Sequence, residues 1–253
     1  MSSQNSTKIL LGNDIYINDF ITIRQPTIEQ IIDFDEQRFY SIFYSLCSIS
    51  SDMKSVLWDM GIDYTKISDW ELFLSTCRGY TKDDTKLVFG DIDLSLSQIM
   101  VDQTNDEKVL VLGNVDENEN FVPDLEKVIR ESDYTKFIEP IREMLGYTVK
   151  REMAANKVTK LALIDEDRIK RKANSKKQWE SPLFQMIVSL VNTEEFKYNY
   201  AECNNLTMFQ LMTSFKQVQN KKSACALYQG SMSGFVDTSK IDKNNFQWIY
   251  TND

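Results

Sequence analysis

The chain has 253 residues, with 29 Lys+Arg, 38 Asp+Glu, a formal net charge of −9 and no histidine. The absence of histidine excludes Ser-His-Asp and Cys-His catalytic relays and every His-ligated metal site. Hydrophobic residues make up 42 % and charged residues 26 %, a balance that is typical of a folded globular protein and excludes a disordered chain.

The charge is distributed unevenly along the chain. Residues 1–126 hold 9 Lys+Arg and 23 Asp+Glu, a net charge of −14. Residues 127–253 hold 20 Lys+Arg and 15 Asp+Glu, a net charge of +5. A chain with such a charge dipole can dock its own halves, stack head to tail, or bind partners of opposite sign at its two ends. Drift of surface composition is the alternative explanation.

Neither a membrane nor an oxidising compartment is indicated. The four cysteines are scattered without a CxxC pair, so we expect reduced, half-buried thiols at Cys47, Cys77, Cys203 and Cys225. No basic segment precedes an apolar run near Met1, and the most apolar stretch, residues 183–191, is too short to span a membrane. The frequent Ile, Lys, Asn and Tyr indicate an AT-rich genome. The sequence predicts a cytoplasmic protein of a bacterium or its phage.

The first third of the chain predicts a β-hairpin followed by helices. Residues 15–17 and 21–23 alternate apolar and polar around Asn18-Asp19, which indicates two short strands. Thr27 with Gln30, and Ser68 with Glu71, have the spacing of a capping box at the start of a helix. The predicted helices cover about 28–47, 53–60 and 68–79.

The middle of the chain predicts a mixture of strands and helices. Residues 86–89 and 109–112 have the composition of strands that pair with each other or with the hairpin, and 114–120 form an acidic loop. We expect a helix to begin at Asp124, and Pro140 to separate or kink the helical stretches 134–139 and 141–145.

The last third of the chain predicts helices throughout. Ser181-Pro182 is a typical helix start, and the predicted helical segments are 151–177, 183–191, 207–220 and 241–248. Together the elements predict a mainly helical α+β fold, with a small N-terminal β-hairpin or sheet and a helical C-terminal half. We divide it into an acidic α+β region, 1–148, and a helical region with a basic segment, 149–253.

No pattern of catalytic or metal-binding residues is complete. Asp116, Asn118 and Asn120 have the spacing of a calcium loop, but Phe121 and Lys127 stand where that loop requires glycine and glutamate. Asp91 and Asp93 follow a strand-like segment, where a metal-binding pair of carboxylates is common, but no third carboxylate can be assigned to them. The sequence contains no Gly-rich phosphate-binding loop. We therefore expect neither an enzyme nor a bound cofactor or metal, with a metal enzyme that uses Asp91 and Asp93 as a minor alternative.

A cluster of basic residues is the first candidate for partner binding. Six positive charges fall within ten residues: Arg168, Lys170, Arg171, Lys172, Lys176 and Lys177. Three interpretations are open: a solvated helix, docking on an acidic protein partner or on this chain's own acidic half, and, less favoured, binding of nucleic acid.

Helices rich in methionine and aromatic residues are the second candidate. Such faces are usually core, yet the flexible thioether also suits the binding of varied hydrophobic segments. We therefore name Met208 and Met212 as candidate contacts for a partner.

Three stretches give the chain a resemblance to a known family. They are Ile21-Thr-Ile-Arg-Gln-Pro-Thr27, Leu57-Trp-Asp-Met-Gly-Ile-Asp63 with the following Asp69-Trp-Glu-Leu-Phe73, and a helical C-terminal half in which a basic stretch precedes apolar helices. In these features the chain resembles the tail assembly chaperones of phages that infect Gram-positive bacteria.

The resemblance implies a non-enzymatic helper in the host cytoplasm that self-associates and binds other phage tail proteins, chiefly the hydrophobic tape measure protein, during virion morphogenesis. It implies no site residues that could be transferred to this chain. The alternative is a structural component of the virion, in the tail, baseplate or connector, whose N-terminal hairpin joins subunits by β-augmentation.

Overall fold

The computed structural model describes residues 3–234, 239 and 241–249. Helices dominate, and two small antiparallel sheets of two and three strands complete the fold. The predicted mainly helical α+β class is confirmed.

The N-terminal segment forms helix α1, Ser3–Leu10, and the predicted hairpin of β1, Ile15–Tyr16, and β2, Thr22–Ile23. Ile15 pairs with Ile23, and Tyr16 with Thr22. The turn is held by Asn18, whose Oδ1 accepts the backbone N–H groups of Phe20 and Ile21 at 3.2 and 2.9 Å. An Asn side chain thus replaces the glycine that tighter hairpin turns require.

The helix predicted over 28–47 is wrong in one respect, because Asp35 divides it. The two helices are α2, Ile28–Phe34, and α3, Glu36–Cys47. Asp35 has φ 91°, and its carboxylate accepts the backbone N–H of Arg38 at 3.0 Å, so it ends one helix and caps the next. The predicted Thr27–Gln30 capping box at the start of α2 is confirmed.

Three short helices follow, namely α4, Lys54–Asp59, α5, Asp69–Thr76, and α6, Lys82–Phe89. The strand predicted at 86–89 is therefore wrong, since these residues form the last turn of α6. A capping box between Thr81 and Asp84 starts that helix, and Gly90, with φ 64°, ends it. The apolar residues of 86–89 face the core on one side of the helix, with Val88 and Phe89 buried.

The larger sheet comprises β3, Ser97–Asp102, β4, Glu107–Val115, and β5, Phe121–Ile129, in the order β3-β4-β5. The strand predicted at 109–112 lies within β4 and is confirmed, but its partners are β3 and β5. The helix predicted from Asp124 is wrong. The register shifts between Val111 and Gly113, so residues 124–127 bulge out of β5 without leaving the strand.

Helix α7, Glu131–Met144, continues through Pro140. The predicted separation of 134–139 from 141–145 is wrong. Proline costs the helix one hydrogen bond, but the buried residues on both sides of it, Phe137, Ile138, Ile141 and Met144, anchor the helix in the core.

The remaining helices are α8, Lys157–Asn174, α9, Pro182–Val191, and α10, Met208–Met232, followed by a 3₁₀ turn at Lys243–Phe246. The predicted starts at Ser181 and Thr207 are confirmed by side-chain caps. Helix α10 extends 12 residues beyond the predicted end at 220.

One hydrophobic cluster includes buried side chains from α2, α3, α5, α7, α9, α10 and both sheets. The starts of α2 and α10 are joined by backbone hydrogen bonds, from Ile28 to Leu206 O and from Met208 to Pro26 O. The core therefore contains residues from both sides of the predicted boundary at 148, while the division itself stays a prediction. A second, smaller cluster lies apart, between α4, α5 and α8.

Candidate partner-binding surfaces

Helix α8, which carries most of the basic cluster, rests on α4 through a narrow contact. Of its 18 residues, only Ile164 is buried, at 1 % exposure. Ile164 packs with Leu57, Tyr64 and Leu72 in the smaller cluster. Most of the surface of this helix is therefore directed at solvent.

Part of the basic cluster is used within the chain. Arg168 forms an ion pair with Asp59 of α4 at 2.6 Å and another with Asp165 at 2.8 Å. Arg171 binds Asp167 and the carbonyl oxygen of Asp52, and Asp167 in turn accepts hydrogen bonds from the hydroxyl and the backbone N–H of Ser55. These contacts match the interpretation in which the basic segment docks on the acidic half of its own chain.

A further ion pair attaches the N-terminal end of α8. Lys160 donates to both carboxylate oxygens of Asp63, at 2.8 and 3.0 Å, and to the hydroxyl of Thr65 at 3.0 Å. The hydrogen bond from Lys160 lowers the pKa of Asp63 to about 2, with a smaller contribution from Thr65. The carboxylate is thus ionised wherever the protein is folded near neutral pH.

The rest of the basic cluster points outward. Within the described part of the chain, Lys170 pairs with Glu166 of its own helix alone, at 2.6 Å. Among the described residues, Lys172, Lys176 and Lys177 form no ion pair within 4 Å, and all three are exposed. This end of α8 can therefore attract an acidic surface.

An apolar stripe runs along the same outward face. Val158, Leu161 and Ile169 are 78 %, 38 % and 70 % exposed. Together with Asp165 and Lys172 they follow the spacing of three and four residues that places side chains on one face of a helix. We call Val158, Leu161 and Ile169 the α8 stripe.

The two candidate methionines occupy a different environment from the one predicted. Met208 is 0 % and Met212 is 9 % exposed, and both belong to the main hydrophobic cluster. They lie on the face of α10 that packs against the rest of the protein. The structure therefore places them in the core instead of on a binding surface.

An apolar surface that the sequence did not single out lies on α9. Leu183, Met186 and Leu190 are buried, whereas Phe184 is 68 % exposed and Ile187 and Val188 are half-buried. Gln185 and Ser189 make one side of α9 polar, whereas the apolar side that carries Phe184 and Val188 stays open.

The open side of α9 lines a groove of about 410 Å³ whose opposite wall is formed by α2 and the segment after α9. Ile32 of α2, 53 % exposed, and Tyr200, 54 % exposed, complete its apolar lining. We call this feature, lined by Ile32, Phe184, Ile187, Val188 and Tyr200, the α9 groove.

Glu36, at the start of α3, fixes the position of α9. Its carboxylate accepts the hydroxyl of Ser181 at 2.6 Å and the backbone N–H of Leu183 at 3.0 Å. Both donors belong to the first turn of α9, where free N–H groups favour a negative charge. One side chain thereby holds together the two walls of the α9 groove.

Acidic residues adjoin the lining of the α9 groove in the sequence, and we call them its acidic rim. The segment 28–36 carries Glu29, Asp33, Asp35 and Glu36 without a basic residue, and Glu180 stands just before α9. All of these except Glu36 are exposed. Among the residues that line the groove, Glu36 is the charged one, and its carboxylate is bound to the start of α9.

The carboxylates that formed partial metal motifs are engaged within the chain. Asp91 pairs with Lys82 at 2.8 Å and Asp93 accepts the hydroxyl of Ser95 at 2.6 Å, while Asp116 accepts the backbone N–H groups of its own turn. Across the part of the chain that the structure describes, no three His, Cys, Asp or Glu side chains are grouped to hold a metal ion.

All four cysteines are free; Cys47, Cys77 and Cys203 are buried and Cys225 is exposed. Burial raises the pKa of the Cys47 and Cys77 thiols to about 12. None of the helices within the described residues is long and apolar enough to cross a membrane.

Comparison with known proteins adds one observation. Residues 174–251, which include α9 and α10, match the model of a family described as YomV second domain. YomV is a protein of a Bacillus phage. The match is consistent with a phage protein. It covers less than half of the chain and includes most of the α9 groove. No curated protein and no solved structure matches the chain.

Proposed function

We propose that this chain is a non-enzymatic phage protein that acts in the host cytoplasm as a tail assembly chaperone, binding the tape measure protein through the α9 groove. The observation that carries the proposal is the open apolar side of α9, where Phe184 is 68 % exposed. An apolar side chain of this size gains about 1.5–3 kcal/mol when a partner covers it fully.

The apolar lining of the groove and the acidic residues beside it indicate the kind of segment that it binds. A groove lined by a helix with an acidic rim accepts the apolar face of an amphipathic helix that carries Lys or Arg at its margins. Long helical proteins that expose such faces before assembly need a soluble protein to cover them. The match of residues 174–251 to a phage domain family supports this setting.

Co-expression tests the proposal. The chain and the tape measure protein of the same phage are produced together, and we expect the tape measure protein to become soluble and to co-purify with the chain. Phe184→Asp should abolish this effect because it places a charge in the apolar groove. The matched control is Leu125→Asp, which changes a side chain of similar exposure, 72 %, on the bulge of β5. Equal solubilisation by both variants would contradict the proposal.

A structural role in the virion is the second candidate. Strand β3 lies at the edge of its sheet, with Val101 53 % exposed and Ile99 36 % exposed, and an edge strand can pair with a strand of a neighbouring subunit. Quantitative mass spectrometry of purified phage particles distinguishes the structural role from the chaperone role. A fixed copy number per particle favours the structural role, whereas absence from particles favours the chaperone.

A further inference from the structure

An open pocket of about 760 Å³ lies at the start of α8. Its walls are the end of α4 and the following loop 63–67, the segment 151–157 that leads into α8, and Ser50 and Ser51. The volume falls within the range of about 300–1,000 Å³ that is usual for the sites of small molecules. The pocket is therefore large enough for an organic ligand.

The carboxylates in the lining of this pocket are paired, whereas two of its lysines are not. Glu152 and Asp63 each bind a lysine, at 2.6 and 2.8 Å. Among the residues that the structure describes, Lys66 and Lys157 form no ion pair within 4 Å, and both are exposed. The pocket therefore carries an excess of positive charge in a chain whose net charge is −9.

The start of α8 and Arg151 add to this positive potential. Asn156 and Lys157 line the pocket at the N-terminus of an 18-residue helix, where free backbone N–H groups favour an anion. Arg151, also in the lining, lies 2.7 Å from Asp69, whose carboxylate is 3.7 Å from the buried Arg142 as well. One carboxylate thus faces two guanidinium groups. The pocket is suited to a negatively charged ligand.

A hydroxyl without a partner is independent evidence for a ligand. Tyr64 lines the pocket and is 2 % exposed, and its hydroxyl has no hydrogen-bond partner within the described residues, although buried polar groups are nearly always hydrogen-bonded. Of the four charged groups that act on this hydroxyl, three line the pocket, namely Lys160, Glu152 and Asp63. The hydroxyl therefore lies on the pocket side of the ring. Burial raises the pKa of Tyr64, so the hydroxyl keeps its proton and can donate a hydrogen bond to an anion.

Part of the lining is apolar. Trp58 is 38 % and Met153 is 93 % exposed, and Ile67 is half-buried. An exposed indole ring binds a planar ring by stacking. We propose that this pocket binds a mononucleotide, with the phosphate at Lys66, Lys157 and the start of α8 and the base against Trp58. The inference does not rest on the proposed function, because the pocket and the α9 groove share no lining residue.

Isothermal titration calorimetry of the purified full chain tests the proposal. The probes are the four ribonucleoside monophosphates, with adenosine and inorganic phosphate as the two halves of one of them. We expect at least one monophosphate to bind, and AMP to bind about tenfold or more tightly than adenosine or phosphate, since base and phosphate contact different parts of the lining. Failure of all four to bind at millimolar concentration, or an affinity for adenosine or phosphate equal to that for AMP, would overturn the proposal.

Charge reversal locates the site. The double variant Lys66→Glu, Lys157→Glu should weaken nucleotide binding by about tenfold or more, because it places two negative charges beside the phosphate. The matched control is Lys172→Glu, Lys176→Glu, which makes the same change of charge at two exposed lysines near the other end of α8, and it should bind as the wild type does. Equal weakening by both double variants would show an effect of net charge alone and would overturn the assignment to this pocket.

Tyr64→Phe distinguishes contact with the ligand from a structural role of the hydroxyl. The substitution should leave the midpoint of urea unfolding unchanged or raise it, since a buried hydroxyl without a partner does not stabilise the fold. It should nevertheless weaken nucleotide binding by about tenfold, because a hydrogen bond to a charged group is lost. A lower unfolding midpoint, or nucleotide affinity equal to that of the wild type, would contradict the role of Tyr64 in the site.

Discussion

Replacing Ile164 by alanine tests whether α8 is held to the protein by one buried side chain. Ile164 is 1 % exposed and packs with Leu57, Tyr64 and Leu72. The substitution removes three carbon atoms at about 0.8 kcal/mol each, and the cavity left behind raises the cost to about 2–5 kcal/mol. Because this one residue supplies the apolar contact of α8, the loss should appear first as detachment of the helix.

Ile169→Ala is the matched control, since it makes the same change five residues later on the same helix, where the side chain is 70 % exposed. Both variants gain the same few tenths of a kcal/mol in helix propensity. The difference between them therefore reports burial alone, and we expect about 2–4 kcal/mol.

Urea unfolding measures the free energy of unfolding of both variants, and hydrogen exchange measures the opening of α8 by itself. In the Ile164→Ala protein the amides of α8 should exchange faster while those of α3 and α7 change little, because a weakly attached element opens locally before the core unfolds. Equal unfolding free energies for the two variants, within about 0.5 kcal/mol, would show that the smaller cluster does not hold α8.

Three further predictions concern single side chains. Glu36→Ala should lower the free energy of unfolding by about 1–3 kcal/mol, since it leaves Ser181 and the first turn of α9 without an acceptor. Glu29→Ala, which removes an exposed carboxylate from α2, should change that free energy little. Urea unfolding compares the two variants. The pKa of Asp63 is lowered to about 2, so its ion pair with Lys160 stabilises the fold fully above the ordinary carboxyl pKa near 4. This stabilisation is lost as the pH falls from about 4 to about 2. In an acid titration of stability, the Asp63→Asn protein should therefore lack this part of the decrease. Among the four thiols, Cys225 should react with a thiol reagent in the native protein, while Cys47 should react only after unfolding, since it is buried and its pKa is raised to about 12.

Local sequence signals predicted the starts of helices well. Thr27, Ser68 and Ser181 cap helices as predicted, because an N-cap depends on one side chain and on backbone groups within three residues of it. The hairpin at 15–23 was predictable for the same reason.

Two errors had different causes. Residues 86–89 are apolar enough for a strand, but a capping box five residues upstream, itself a local signal, starts a helix that contains them. Residues 124–129 have helical spacing, yet pairing with β4 draws them into a strand. This second choice depends on contacts far apart in sequence, which a local pattern does not contain.

The candidate surfaces show the same division between local and distant information. The basic cluster of α8 was evident from composition, but which of its charges are free was not, because Asp59 and Asp52 reach it only through the fold. Met208 and Met212 were correctly placed on an apolar helical face, and that face turned out to be the core. Helix α9 is apolar around most of its circumference, so its pattern did not reveal which apolar side stays open.

The charge asymmetry of the chain divides into two parts with different physical roles. One part is satisfied within the molecule, where Lys160 meets Asp63 and Arg168 meets Asp59. The other part stays at the surface, with Lys172, Lys176 and Lys177 at the end of α8 and the acidic rim on the α9 groove. Exposed charges are screened by salt more strongly than charges in close, partly buried pairs. Since Ile164 also anchors α8 by apolar contact, added salt should screen the exposed charges without releasing α8 from α4.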